Sequence, residues 1–301
     1  MFMNTKRLMG ILVGCFVTVL LSLSVTLVSA QTISAEDEYR ASLLNLIVLL
    51  QAQIAELQLQ LASQTNVDTS IVLDTIGGTT VAAYTVDGGE ISGQTRREYQ
   101  AYLDRLLAVM PDQYDEHIDE FIIFTGGNND ISAYVETKTP YVNNWTYGVR
   151  ASEVAEDPDS AASTELMVHE FAHIFSLDQV FRINDIVRTC HSFLAEKICY
   201  GNESYIGDFI ETFWSSQLLD ELQATQINQE MDQTDFYDRY QSQFVSEYAA
   251  TDPAEDFAES FVWYVYDRSV PRNSIAQQKV AFFDQSSYLQ GLAATIREEI
   301  D

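Results

Sequence analysis

The segment Leu166-Met167-Val168-His169-Glu170-Phe171-Ala172-His173-Ile174-Phe175 constrains this chain more than any other. It is largely apolar and has no Gly or Pro to interrupt it, so it reads as a helix beginning near Ser163 and buried against other elements. Residues four apart on a helix lie one turn from each other on one face, so the imidazoles of His169 and His173 can reach a single metal ion. Glu170 sits one step round from His169, where it can hold the ion's water and not the ion. Zinc lowers the pKa of such a water to about 7, and a carboxylate base beside it is the chemistry of hydrolysis. The pattern therefore predicts a Zn2+ cofactor, with His169 and His173 as ligands and Glu170 as general base.

Catalytic zinc takes three protein ligands and leaves one position open. A His six residues after His173 would make the metzincin pattern, but Gln179 stands there, and a thermolysin-like Glu about 20 residues on would fall at Phe193. His191 and Glu196 are weaker candidates. The better source is Asp252-Pro253-Ala254-Glu255-Asp256-Phe257-Ala258-Glu259-Ser260-Phe261. Asp252 as N-cap with Pro253 at the first helical position starts a helix, which sets Glu255 and Glu259 one turn apart on one face. Carboxylates among Phe257, Phe261, Val262 and Val265 need a cation or hydrogen-bond donors. A metal with two imidazoles supplies both: one carboxylate binds the ion, and the other accepts the far ring N–H of a ligand His. Spacing alone leaves two assignments open. Glu255 is the ligand, or it closes a capping box with Asp252 and Glu259 is the ligand. Asp256 faces another side.

On these residues the chain resembles the gluzincin metallopeptidases, most closely the catalytic domain of anthrax lethal factor and related secreted bacterial HExxH peptidases. In that family a Tyr precedes the ligand Glu by seven residues and a Phe-Ala-Glu follows; here Tyr248 precedes Glu255 by seven and Phe257-Ala258-Glu259 follows. The resemblance implies His169, His173 and Glu255 as zinc ligands, Glu170 as base, Tyr248 as hydroxyl donor to the oxyanion, and Glu259 as the acid behind a ligand His. It spans two short motifs within about residues 160 to 265, and the gap from His173 to Glu255 is longer than in lethal factor.

Lys6 and Arg7 followed by an apolar run over residues 8–28 and small residues at Val28-Ser29-Ala30 read as an export signal cleaved before Gln31. The run is also long enough to span a bilayer, so a membrane tether through residues 8–28 is the competing reading. Either predicts a secreted or cell-envelope location. There Cys190 and Cys199 are expected to form a small-loop disulfide, with two buried thiols as the alternative. Leu43, Ile47, Leu50, Ile54, Leu57 and Leu61 alternate spacings of four and three, a coiled-coil seam that permits self-association through residues 39–61 or a stalk helix. The domain expectation is a signal or anchor over 1–30, a coiled-coil-like helix over 31–64, a Gly- and Thr-containing linker over 65–94 with at most a short strand or two, and a metallopeptidase-like domain over 95–301. Within that domain a helix over about 95–110 stops at Pro111. Strands are expected at Phe121–Phe124, Ser132–Val135 and Trp145–Val149, either of the last two a guess for pairing with an extended substrate. Mostly helices follow, an α+β order of a small sheet and then a helix-rich zincin-like half.

Against 16 Lys and Arg stand 45 Asp and Glu, a formal net charge of −29. So negative a surface repels phosphate backbones and argues against nucleic acid as a partner. The expected activity is that of an exported zinc metalloendopeptidase acting on peptides or proteins. The alternative is a cell-envelope interaction protein whose zinc is structural, its fourth ligand supplied by a residue such as His191.

Overall fold

The computed structural model describes residues 71–127, 131–137, 144–177, 193–195, 198–200, 204–228 and 233–300. The chain divides into two units, Met1–Val67 and Asp68–Asp301, and every described residue lies in the second. The signal or anchor segment, the heptad seam, Cys190, His191 and Glu196 fall outside the described residues. No helix among the described residues is long and apolar enough to cross a membrane.

The unit is α+β. Helix α1 (Ile71–Ile76) leads into β1 (Gly78–Asp87) and the short β2 (Glu90–Ile91), then α2 (Arg97–Val109), β3 (Ile118–Gly126), β4 (Ala133–Thr137) and β5 (Trp145–Arg150). A single turn, α3 (Ala151–Val154), precedes the long helix α4 (Ala161–Ser176). A small hairpin of β6 (Phe193–Ala195) and β7 (Ile198–Tyr200) comes next. Helices complete the unit: α5 (Tyr205–Phe213), α6 (Ser216–Asn228), α7 (Gln233–Tyr240), α8 (Pro253–Val265), α9 (Ile275–Phe282) and α10 (Ser287–Ile300).

The main sheet is mixed, in the order β2-β1-β3-β5-β4, with β3 and β5 parallel and the other neighbours antiparallel. Alternation along β3 divides the interior: Phe121 and Ile123 enter the large core under the helices, while Ile122 and Phe124 join Leu73 and Tyr134 in a small one on the other face. Gly148 has no side chain where the Tyr134 ring lies across β5, and a Cβ there would collide with that ring. On the helical face, Tyr99, Tyr102, Leu103, Leu106 and Val109 of α2 form a continuous buried stripe, ended before Pro111.

Two sequence expectations need correction. The segment over 65–94, expected to hold at most a short strand or two, carries the ten-residue β1, which pairs with β3 from Gly78↔Gly126 to Thr85↔Glu120, and the compact unit begins at Asp68. The strand's full length is hard to see because its alternation, with Ala82, Tyr84 and Val86 turned inward, begins only after its first residues and is blurred by apolar Val81 and Ala83 on the outer face. A register shift between Thr80 and Ala82 leaves Val81 exposed, and Val86 is its one buried residue. The second correction concerns Trp145–Val149: β5 is enclosed between β3 and β4, so of the two strands considered for substrate pairing only β4 lies at the margin of the sheet.

Candidate metal centre

Ser160 caps helix α4 by accepting a hydrogen bond from the Ser163 amide, so the helix starts at Ala161, two residues ahead of the expected start, and runs to Ser176. Helix α8 starts as the sequence indicates: the Asp252 side chain accepts from the Ala254 amide at 2.8 Å, and Pro253 takes the first helical position. The two helices run antiparallel. Thr164, near the start of α4, bonds Tyr266 just beyond the end of α8; His169 meets Glu259 further along; and His173 meets Glu255 in the first turn of α8. An ion pair between Glu165 and Arg268 ties the same end as Thr164 and Tyr266.

Each helix carries the same local order, Phe171-Ala172-His173 on one and Phe257-Ala258-Glu259 on the other. At about 100° per residue this places the polar group on one flank of the helix, the ring on the other and a small residue between. Ala172 and Ala258 are fully buried, so the backbones can approach. On the ring flank Phe175 packs edge-on against Phe261 at 4.9 Å and Phe257 at 5.6 Å. On the other flank the polar groups converge.

His169 Nε2 lies 3.0 Å from Glu255 Oε2 and 3.3 Å from His173 Nε2, and His173 Nε2 lies 3.4 Å from the same carboxylate oxygen. Corners of a tetrahedron around a zinc ion bonded at 2.0–2.1 Å are about 3.3 Å apart. The donors therefore fit three corners of such a site, and the set of two imidazoles and one carboxylate suits zinc. Among the described residues this is the one group of His, Cys, Asp and Glu that could hold a metal ion. The other ring nitrogen, His169 Nδ1, is 3.0 Å from Glu259 Oε1. That contact favours the tautomer with the proton on Nδ1 and leaves Nε2 free to bind an ion. The structure thus separates the two acids that spacing alone left open: Glu255 faces both imidazoles from within the group, and Glu259 stands behind His169. Asp256 points away, to Lys279 and Trp214.

The charges respond to one another. Burial works to lower the His169 imidazole, but hydrogen bonds to Glu255 and Glu259 outweigh it and hold the group up at about 10. His173 is likewise opposed by burial and raised by Glu255. Glu255 is held well below the usual carboxylate range, burial notwithstanding, by His173 and His169, and Glu259 is lowered by His169 and Ser246. Glu170 is buried at 5% exposure and lies outside the donor triangle. Burial raises its carboxyl against the pull of both imidazoles.

Tyr248 opens a short 3-10 turn (Tyr248–Ala250), is 45% exposed, and sets its ring 5.7 Å from that of His169. Enclosure of its hydroxyl end and the charges of Glu255 and Glu170 push the phenol up, so it stays protonated and able to donate. His169, Glu170, His173, Tyr248, Glu255 and Glu259 thus lie together, while the weaker candidates His191 and Glu196 fall outside the described residues. Two features there had no sequence signal. Ser246 bonds Glu259, and the fully buried Lys279 pairs with Asp256 on the opposite side of α8.

The chain matches no protein-family model, no curated protein and no solved structure.

Proposed function

We propose that this protein is an exported zinc-dependent metalloendopeptidase with a zincin-like domain of the gluzincin type. The observation that carries the reading is the donor triangle of 3.0, 3.3 and 3.4 Å among His169, His173 and Glu255. Beside it stand a buried carboxylate that is not part of the triangle and a tyrosine at its mouth. Zn2+ held there would supply Lewis acidity to a water and to the scissile carbonyl.

The chain's own residues do the rest. Glu170 takes the proton of the attacking water and returns it to the leaving amine. Tyr248 donates its hydroxyl hydrogen to the carbonyl oxygen as negative charge builds there, and its raised pKa keeps that hydrogen in place. Glu259 holds the His169 ring in the tautomer that presents Nε2. An acidic chain with its catalytic groups already anionic favours cationic peptides on encounter.

The purified protein is expected to carry about one zinc per chain, and to cleave a mixed peptide library until a chelator removes the metal. Stoichiometric Zn2+ restores cleavage. Protein that takes up no zinc at micromolar free metal would overturn the reading. Zinc must displace the proton held on the raised His169 imidazole, so affinity rises with pH and calorimetry in buffers of different ionisation enthalpy registers proton release at pH 7. In the metal-free protein the sign is opposite for stability: the contribution of protonated His169 is full below its unfolded pKa and is lost as pH rises toward about 10.

Tyr248→Phe removes only the donor oxygen. It is expected to lower kcat about 10²–10³-fold with zinc content and KM little changed. A rise of the same size in KM with kcat unchanged would reassign Tyr248 to substrate binding.

A further inference from the structure

Ser246 connects two parts of the centre. Its Oγ donates to Glu259 Oε2 at 2.7 Å and accepts from the Ala249 amide at 3.0 Å. A hydroxyl has one proton to give, and here it is committed to a carboxylate in a short, charge-assisted bond. The other oxygen of that carboxylate meets His169 Nδ1 at 3.0 Å. The bonds therefore converge on one carboxylate: the Ala249 amide donates to Ser246, and Ser246 and His169 Nδ1 each donate to one oxygen of Glu259. Ser246 and Ala249 also bracket Tyr248, so the bond that closes this turn fixes the backbone from which the phenol projects.

Resting on the metallopeptidase reading above, we propose that Ser246 is a positioning residue that sets the orientation of Glu259, and through it the His169 ring, together with the placement of Tyr248. It touches neither the donor triangle nor the reacting atoms. Three consequences follow from its removal. The Glu259 carboxylate loses the bond that fixes its rotation. The amide of Ala249, a fully buried residue, loses its hydrogen-bond acceptor. The turn carrying Tyr248 loses its closure. One deletion should therefore disturb metal affinity and turnover together, although it lies behind both.

The test compares wild type, Ser246→Ala, Ser246→Thr and Glu259→Gln, each checked for folding by circular dichroism and thermal melting. Zinc affinity is read by competition with a chromogenic chelator, the ligand field from the visible spectrum of the Co2+-substituted protein, and kcat at saturating zinc. Ser246→Ala is expected to bind zinc about 10–100-fold more weakly, the range for loss of a partner behind a metal ligand. Its Co2+ spectrum should shift in the direction seen for Glu259→Gln. Its kcat should stay about tenfold low even when zinc saturates, a residue of the loosened Tyr248 turn. Ser246→Thr keeps a hydroxyl and should restore all three readouts. Folded Ser246→Ala with wild-type affinity, spectrum and kcat overturns the proposal, as does a folded Ser246→Thr that matches Ser246→Ala. If wild type itself binds no zinc, both this inference and the metallopeptidase reading fail; if wild type binds zinc and cleaves peptides while Ser246→Ala equals it, only the role of Ser246 falls.

Discussion

Glu170→Gln is expected to retain zinc and fold while kcat falls about 10²–10⁴-fold, the range for a positioned general base. The substitution is nearly isosteric and removes just the ability to take a proton. Glu170 is not among the donors of the triangle, so the metal has no need of it. The site needs it charged, however, and its surroundings are arranged to keep that charge adjustable. Burial pushes the carboxyl up, while His169 and His173 pull it down. A carboxyl so balanced can accept a proton from water and surrender it within one cycle, which a solvated Glu at its ordinary pKa does less well. Zinc content by elemental analysis and kcat on a library-derived peptide decide the matter. Retained zinc with kcat within a few-fold of wild type would refute the assignment of Glu170 as base. Lost zinc would instead make Glu170 part of the coordination sphere. KM should move little, because the water's proton is transferred on the way to the transition state and not in the ground state.

The centre was legible because helical periodicity is short-range. His169 with His173, and Glu255 with Glu259, are each fixed by one turn of helix, and both helices are marked by their own residues: Ser160 and Asp252 as caps, Pro253 at the first position. What periodicity could not supply was which carboxylate meets the ion, since both lie on the same face. That depends on the antiparallel crossing set by Phe175 against Phe257 and Phe261, by Thr164 with Tyr266 and by Glu165 with Arg268. The repeated Phe-Ala-His and Phe-Ala-Glu order is a further signal, indicating two helices packed through an alanine with ligands on one flank. The length of strand β1 was illegible for a different reason. Its place in the sheet comes from backbone pairing with β3, while the inward set Ala82, Tyr84 and Val86 spans only its second half and faces outward neighbours, Val81 and Ala83, that are apolar too. Ser246 and Lys279 were invisible because a hydroxyl or an ammonium acquires its role from the partner the fold delivers.

Lys279→Met is expected to destabilise the protein by about 3–5 kcal/mol, the usual cost of stripping one partner from a buried ion pair. Lys279 Nζ and Asp256 Oδ2 stand 2.6 Å apart with both side chains fully enclosed, and the same oxygen accepts from Trp214 Nε1 at 2.9 Å. The ammonium lies 4.0 Å from the centre of the Phe244 ring and 5.4 Å from that of Trp214. Burial raises Asp256 to about 6 and lowers Lys279, each held toward its charged form by the other. Removing the lysine leaves Asp256 to fold as a neutral acid. Its folded pKa then exceeds the unfolded value still further, so the folded state holds a proton that the unfolded state releases, and stability falls as pH rises between those two values. The deficit of Lys279→Met relative to wild type should therefore be larger at pH 7 than at pH 5. Adding Asp256→Asn removes the charge and should recover most of the loss, because a well-packed neutral replacement of such a pair is often no less stable. Thermal melting of the three proteins at both pH values is the measurement, and a deficit in Lys279→Met that is absent, or equal at the two pH values, would show that the pair is not what holds this side of α8. Asp256 neighbours Glu255 on that helix, so the same pair keeps α8 from turning about its axis and carrying Glu255 away from the imidazoles of α4.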